Sequence, residues 1–375
     1  MITKFDSLYA GHADLDNVGY GGTPINDRRF SNAHLATALS KAEAMARLMD
    51  GLGYNCFWMA EHHFQREGTE CIPNNLMMAV HLAHRTKNIK IGCGFNITPM
   101  WHPLRLAEDY AAADIMTGGR IIMGVGRGYH TREVESFGAP MTDNKANQAL
   151  FEEQMEVLLK AFNEESFAHK GRHYTLPPEI PYRGYTLKDL TLVPRPFNLP
   201  VECWQPIQGG SAEGGAMHKV VLDWQAAHAR LGKEIELGER LCFGFHFYIA
   251  DSREQGAREA AKYYEENMKM FGPLRLVRAL TDQQIEDMAD PGKAPHAGLP
   301  TIEEAIDKGG VLCGSPAEIV EHLKKLEVAY PGLERISVSL SVGVPQAVAL
   351  EQLERFATEV MPAFKTAATE PAVVD

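Results

Sequence analysis

A chain of 375 residues with 45% hydrophobic and 23% charged residues has the composition of a folded protein with a large core, far from that of a disordered chain. Its 37 basic and 49 acidic residues leave a net charge of −12, and no basic stripe is visible. Nucleic acid and anionic membranes are therefore excluded as expected partners, and a neutral or apolar small molecule is favoured.

The longest apolar runs, such as Ile121–Val125 and Leu241–Ala250, fall well short of the ~18 residues of a membrane-spanning helix. The N-terminal segment lacks the basic-then-apolar pattern of a signal peptide. A soluble, cytoplasmic protein is expected.

Short runs of branched and aromatic residues alternate with helical patterns along nearly the whole chain, the signature of βα units around a parallel sheet. A strand over Lys4–Tyr9 precedes a helix over Asn32–Asp50, a strand over Tyr54–Ala60 precedes a helix over Asn74–Thr86, and a strand over Ile89–Phe95 precedes a helix over Pro103–Met116. The strand Arg120–Val125 leads to a helix over Ala146–Asn163, in which Phe151, Met155, Leu158, Leu159 and Phe162 make one apolar stripe. Further strands are expected at Val201–Ile207, Leu241–Ala250 and Arg335–Val342, with helices at Glu213–Leu231, Glu254–Phe271, Ser315–Ala329 and Gln346–Phe364. Ser315-Pro316-Ala317-Glu318 combines an N-cap serine, a proline at the first helical position and a capping-box glutamate.

Seven strands in a repeated βα pattern nearly make an eight-stranded α/β barrel, a TIM barrel. The expected shortage has a location, because almost nothing separates the strand ending near Ile207 from the helix starting near Glu213. One βα segment is read as missing at 208–214. Two stretches rich in Pro and Gly, about 169–200 and 272–300, read as insertions on a single barrel domain over 1–375. The six cysteines (Cys56, Cys71, Cys93, Cys203, Cys242 and Cys313) sit singly and read as reduced core residues. No metal is expected, since the neighbours His62 and His63 would face opposite ways on a strand.

In a barrel of this kind the chemistry lies at the C-terminal ends of the strands and in the loops after them. That filter selects Glu61, His62 and His63 after the second strand, Asn96 and Thr98 after the third, Gly126, Arg127, Gly128 and Tyr129 after the fourth, and Gln208 to Ser211 after the fifth. Two histidines at a strand end can hydrogen-bond a substrate or exchange protons near neutral pH; equally, such residues serve as scaffold. The run RIIMGVGRGYH at 120–130 passes from strand to a glycine-spaced turn carrying an arginine, a place where an anion can meet backbone N–H groups and a guanidinium. It is neither the dinucleotide fingerprint nor a P-loop, and its glycines can equally serve turn geometry alone. No nucleophile elbow of the serine hydrolases is present.

Taken together, WMAEHHF at 58–64, HPLRLAED at 102–109, GRIIMGVGRGYHTREVESFG at 119–138 and VLCGSPAEIVEHL at 311–323 resemble the bacterial luciferase-like flavin monooxygenases, over about residues 5 to 345. The resemblance implies a TIM barrel that uses reduced FMN (FMNH2) from a separate NAD(P)H:flavin reductase to activate O2, with a C4a-peroxyflavin as the reactive species. By position it implies a functional role for His62, with Glu61 and His63 beside it, and a phosphate-binding role for Arg127 with Gly128 and Tyr129. It places a non-prolyl cis peptide at Gly94-Phe95 under the flavin ring, with Asn96 just beyond. It also implies a GS-type phosphate-binding turn, a helix and a strand near Gly209–Gly214, where the chain is short, so that Ser211 belongs either to that turn or to the flank after the gap. Luciferase has a cysteine where this chain has Gly126, so light emission and a long-chain aldehyde substrate do not follow.

The expected function is insertion of one oxygen atom from O2 into a small, mostly apolar organic substrate by a homo-oligomer, as a hydroxylation or a Baeyer–Villiger oxidation. The alternatives are a deazaflavin-dependent hydride-transfer oxidoreductase of the same superfamily and a non-catalytic flavin-binding protein.

Overall fold

The computed structural model describes residues 1–207, 216–276 and 280–364. In chain order its strands are β1 (Lys4–Tyr9), β2 (Cys56–Met59), β3 (Lys90–Cys93), β4 (Asn96–Ile97), β5 (Ile121–Gly126), the two small hairpins β6–β7 (His169–Lys170 with Thr175–Leu176) and β8–β9 (Pro181–Tyr182 with Tyr185–Thr186), β10 (Cys203–Trp204), β11 (Cys242–Ile249), β12 (Val311–Gly314) and β13 (Arg335–Ser339). The helices are α1 (Asn32–Leu52), α2 (Asn75–Ala83), α3 (Pro103–Met116), α4 (Thr131–Val134), α5 (Asn144–Asn163), α6 (Ala216–Arg230), α7 (Arg253–Phe271), α8 (Asp282–Met288), α9 (Ile302–Asp307), α10 (Pro316–Ala329) and α11 (Gln346–Arg355). Among the described residues no helix is long and apolar enough to cross a membrane.

The chain divides into two units: residues 1–57, 66–69 and 207 onwards form one, and residues 58–65 and 70–206 form the other. In the first unit β1, β13, β11 and β12 lie side by side in that order, each pair parallel. Alternation sorts their faces. Phe243, Phe245 and Phe247 of β11 are buried while Gly244 between them is open. Phe5 and Phe247 both meet the ring of Phe356, at 5.7 and 5.4 Å, just beyond α11, so that end of the chain covers the aromatic face. Within the strands, Arg335 donates to both carboxylate oxygens of Asp6 at 2.8 Å.

In the second unit, which takes β2 from Trp58 onward, the order is β2, β3, β5, β10, with β4 beside β5. Both pairings of β5 along this row, to β3 and to β10, are parallel. Every residue of β5 is buried, as expected of a parallel strand covered on both faces. Gly92 of β3 has to be glycine, because a Cβ there would lie 2.2 Å from the indole ring of Trp58.

Helix starts follow their capping residues. Ser31 accepts from the His34 N–H, Asp143 from the Lys145 and Ala146 N–H groups, and Ser315 and Glu318 form the expected capping box. Three expectations need correction. An eighth long-range parallel strand exists at Val311–Gly314, a run the sequence reading left unassigned before the Ser315 cap, and it lies outside β11 rather than between β11 and β13. The strand expected over Val201–Ile207 shrinks to Cys203–Trp204, since Pro206 and Pro200 flank it and proline cannot donate to a ladder. Cys203 is exposed, not core. The segment expected to be missing at 208–214, and Ser211 with it, lies outside the described residues.

Candidate functional site

All the candidate residues within the described chain belong to the second unit, where three strands deliver them. Met59 ends β2, Cys93 ends β3 and Gly126 ends β5. The ends of β2 and β3 are flush, for the Gly94 N–H donates to the Met59 carbonyl at 2.7 Å. Glu61, His62 and His63 follow β2, Gly94, Phe95 and Asn96 follow β3, and Arg127, Gly128 and Tyr129 follow β5.

His62 is 5% exposed and has both ring nitrogens occupied. Its Nε2 lies 2.9 Å from Glu70 Oε1 and 3.0 Å from the Tyr129 hydroxyl, and its Nδ1 lies 3.3 Å from Glu133 Oε2. Tyr129 donates to Glu70 Oε1 at 2.8 Å, and His130 Nε2 sits 2.9 Å from Glu70 Oε2. Gln65 Nε2 donates to Glu133 Oε1 at 2.8 Å. Burial opposes a charge on His62, but Glu70 and Glu133 outweigh it and hold its pKa up at about 10. Burial likewise opposes the Glu70 carboxylate, yet His62 and His130 bring its pKa down to about 2. Burial and then Glu70 raise the Tyr129 phenol well above its usual range. At neutral pH the cluster therefore holds an imidazolium between two carboxylates, with a neutral phenol as the adjoining donor. His62 is a proton donor and a fixed positive charge, not a base with an open lone pair.

Glu61 and His63 are placed differently. Glu61 is buried, and its carboxylate accepts from the Ile97 N–H at 2.8 Å and from Trp101 Nε1 at 2.9 Å, with His63 Nε2 at 3.2 Å. It clamps the loop after β2 to the loop after β3. The His63 ring sits edge-on to Phe137 at 4.8 Å, and Phe64 stacks on Phe137 at 5.7 Å.

After β5, Arg127 is half-buried and donates from Nη1 to Asn144 Oδ1 at 3.0 Å. Gly128 has φ +83°, and a Cβ there would lie 2.7 Å from Val134 Cγ2, so the turn tolerates only glycine. The Gly94-Phe95 peptide is cis. Asn75 and Asn96 are fully buried; Asn75 Nδ2 donates to the Phe95 carbonyl and Asn96 Nδ2 to the Gly124 carbonyl, but both Oδ1 atoms are buried without a partner. Buried polar atoms are rarely left so. Two unmatched acceptors beside Phe95, and a guanidinium in a glycine turn, fit a group that carries N–H donors at one end and a phosphate at the other, which is the donor and charge pattern of FMN.

Of the residues around His62, the sequence reading missed Glu70, His130 and Glu133, and beside Phe95 it missed Asn75. His130 and Glu133 lay within reach of a signal, just past the arginine turn. Glu70 stands in an irregular loop and gave none.

Comparison with known proteins agrees with this layout. The family described as luciferase-like monooxygenase matches residues 22–332. The oxygenase component of flavin-dependent trigonelline monooxygenase from Acinetobacter baylyi is 27% identical over 85% of this chain and 88% of its own length. Protein y4vJ of Sinorhizobium fredii is 32% identical over a shorter stretch, 38% of this chain and 39% of its own. Among solved structures, the oxygenating constituent of 3,6-diketocamphane monooxygenase from Pseudomonas putida, a type II Baeyer–Villiger enzyme in complex with FMN, superposes with a TM-score of 0.67 at 18% identity, covering 96% of this chain and 98% of that one. That likeness shows the fold to be the luciferase-like TIM-barrel type expected from the sequence. With the family match running over most of the chain, the protein belongs to the luciferase-like monooxygenases.

Proposed function

We propose that this protein is the oxygenase of a two-component system, taking FMNH2 from a separate NAD(P)H:flavin reductase and inserting one atom of O2 into a small, mostly apolar organic substrate. The observation that carries the reading is that one unit holds a guanidinium in a glycine turn, a charged imidazole and the unmatched Asn96 amide oxygen after neighbouring strands, with a second unmatched amide oxygen, that of Asn75, at the start of α2. When bound, reduced FMN supplies the electrons that activate oxygen.

The chain's own residues hold and orient. Arg127 binds the phosphate with the N–H groups of its turn, as a bidentate fork suits a dianion. Asn96 and Asn75 offer their Oδ1 atoms to ring N–H groups. His62, held between Glu70 and Glu133, places a positive charge where it can stabilise an oxygen anion formed in the site. The buried surroundings of His62 keep water from screening that charge.

The test is anaerobic titration of the full chain with reduced FMN, followed by mixing with oxygen. Binding of the reduced flavin, and a change in flavin absorption that outlasts the reoxidation of free flavin, are expected. A flavin that binds but is reoxidised no differently from free flavin would leave only a binding protein. Failure to bind reduced FMN, with binding of a reduced deazaflavin instead, would favour hydride transfer.

A further inference from the structure

We propose that His62, Glu70, His130 and Glu133 form a binding site for one first-row divalent metal ion. Each offers one ligand atom, and these four atoms all lie within 4.8 Å of one another. Four ligands around a zinc-sized ion at about 2.1 Å are about 3.4 Å apart, so the cage must contract, and because Glu70 and Glu133 now face different nitrogens of the His62 ring, one carboxylate has to swing to the nitrogen that takes the ion. All four residues are at most 9% exposed.

Charge balance argues in the same direction. Glu70 and Glu133, 1% and 2% exposed, place two carboxylates out of water, where each needs a compensating positive charge. Their hydrogen-bond partners are two imidazoles, a phenol and an amide, and none of these carries a permanent charge. One dication between neutral imidazoles and the two carboxylates leaves the cluster without net charge. The donor set contains nitrogen and oxygen without sulfur, which suits Zn2+, Mn2+ or Fe2+ and does not suit the soft ions bound by thiolates. Tyr129, 2.8 Å from Glu70 Oε1, stands as the outer partner that orients a ligating carboxylate. The cation would carry the positive charge assigned above to His62 and would leave Arg127, Asn75 and Asn96 as they are.

The test needs no flavin, so its failure is separate from failure of the flavin reading. The full chain is dialysed against micromolar Zn2+ or Co2+, then against metal-free buffer, and its metal content is measured by plasma mass spectrometry. About one equivalent per chain is expected to remain, with Glu70→Gln and His130→Asn each lowering retention at least about tenfold, while Glu259→Gln, at a residue that is not among the four ligands, has no effect. Co2+ bound to the wild-type chain should show a spectrum of mixed nitrogen and oxygen ligation, which decides the matter even where a variant fails to fold. A folded wild-type chain that retains no metal, folded variants that retain as much as wild type, or a cobalt spectrum lacking nitrogen ligands would each overturn the proposal.

Discussion

Replacing Glu61 by Gln separates a clamp from a catalyst. The carboxylate accepts from Ile97 N–H on one oxygen and from Trp101 Nε1 on the other, with His63 against the second. An amide has one accepting oxygen, so whichever way Gln turns, its NH2 faces a donor. One charge-assisted hydrogen bond is lost, about 1.5–3 kcal/mol, and a buried N–H is left unmatched, about 1–3 kcal/mol. The easier burial of a neutral amide offsets part of this, and a net loss of about 2–4 kcal/mol is expected. Equilibrium denaturation followed by tryptophan fluorescence reads it, because Trp58, Trp101 and Trp204 lie in the unit that contains Glu61. The midpoint should fall with an unchanged slope. In the folded fraction, flavin affinity and oxygen coupling should stay within about twofold of wild type, since a clamp touches no reacting atom. A stability loss below about 0.5 kcal/mol, the level of an ordinary surface substitution, would refute the clamp. So would full stability with a collapsed rate.

Arg127→Ala should weaken binding of reduced FMN by about 1.5–3 kcal/mol, or roughly 10- to 150-fold, and unchanged affinity in an anaerobic titration would move the phosphate elsewhere. His62→Ala should cut product formation by about 10²–10⁴-fold at nearly constant FMN affinity, with the lost oxygen appearing as hydrogen peroxide; unaltered coupling would reduce His62 to scaffold. Gly92→Ala drives a methyl group into Trp58 and should cost about 1–3 kcal/mol, read by denaturation; a neutral outcome would mean the indole moves freely. In the first unit, burial pushes the pKa of His246 down to about 4. The unfolded chain then binds the extra proton first, so stability should fall, by up to about 3 kcal/mol, as pH drops from about 6.5 through 4. A His246→Phe variant with the same slope over that window would assign the loss to other groups.

The parts of this molecule that could be read in the sequence are those set by local periodicity. The helix over Pro103–Met116 and the strand over Lys4–Tyr9 have the bounds that their patterns predict, because an apolar stripe or a branched run is a property of neighbours in the chain. The strand Val311–Gly314 escaped because four residues running straight into a capped helix carry no period of their own. The site divides in the same way. Glu61, His62 and Arg127 were legible because a barrel puts chemistry at strand ends, and a strand end shows itself locally. What each residue does there was not legible. Glu61 and His62 are adjacent in the chain, yet one spends its charge on backbone and indole donors while the other is held between Glu70 and Glu133, eight and 71 residues onward. A search for metal ligands within one segment sees only His62-His63, whose rings take different partners, Glu70 and Glu133 for the one and Glu61 and Phe137 for the other. The proposed cluster takes His62 and Glu70 from the chain after β2, and His130 and Glu133 from the chain after β5, where Glu133 stands on the short helix α4. Parallel strands bring such loops to one edge whatever their separation in sequence, so chemistry assembled there follows from topology and becomes visible only once the strand order is known.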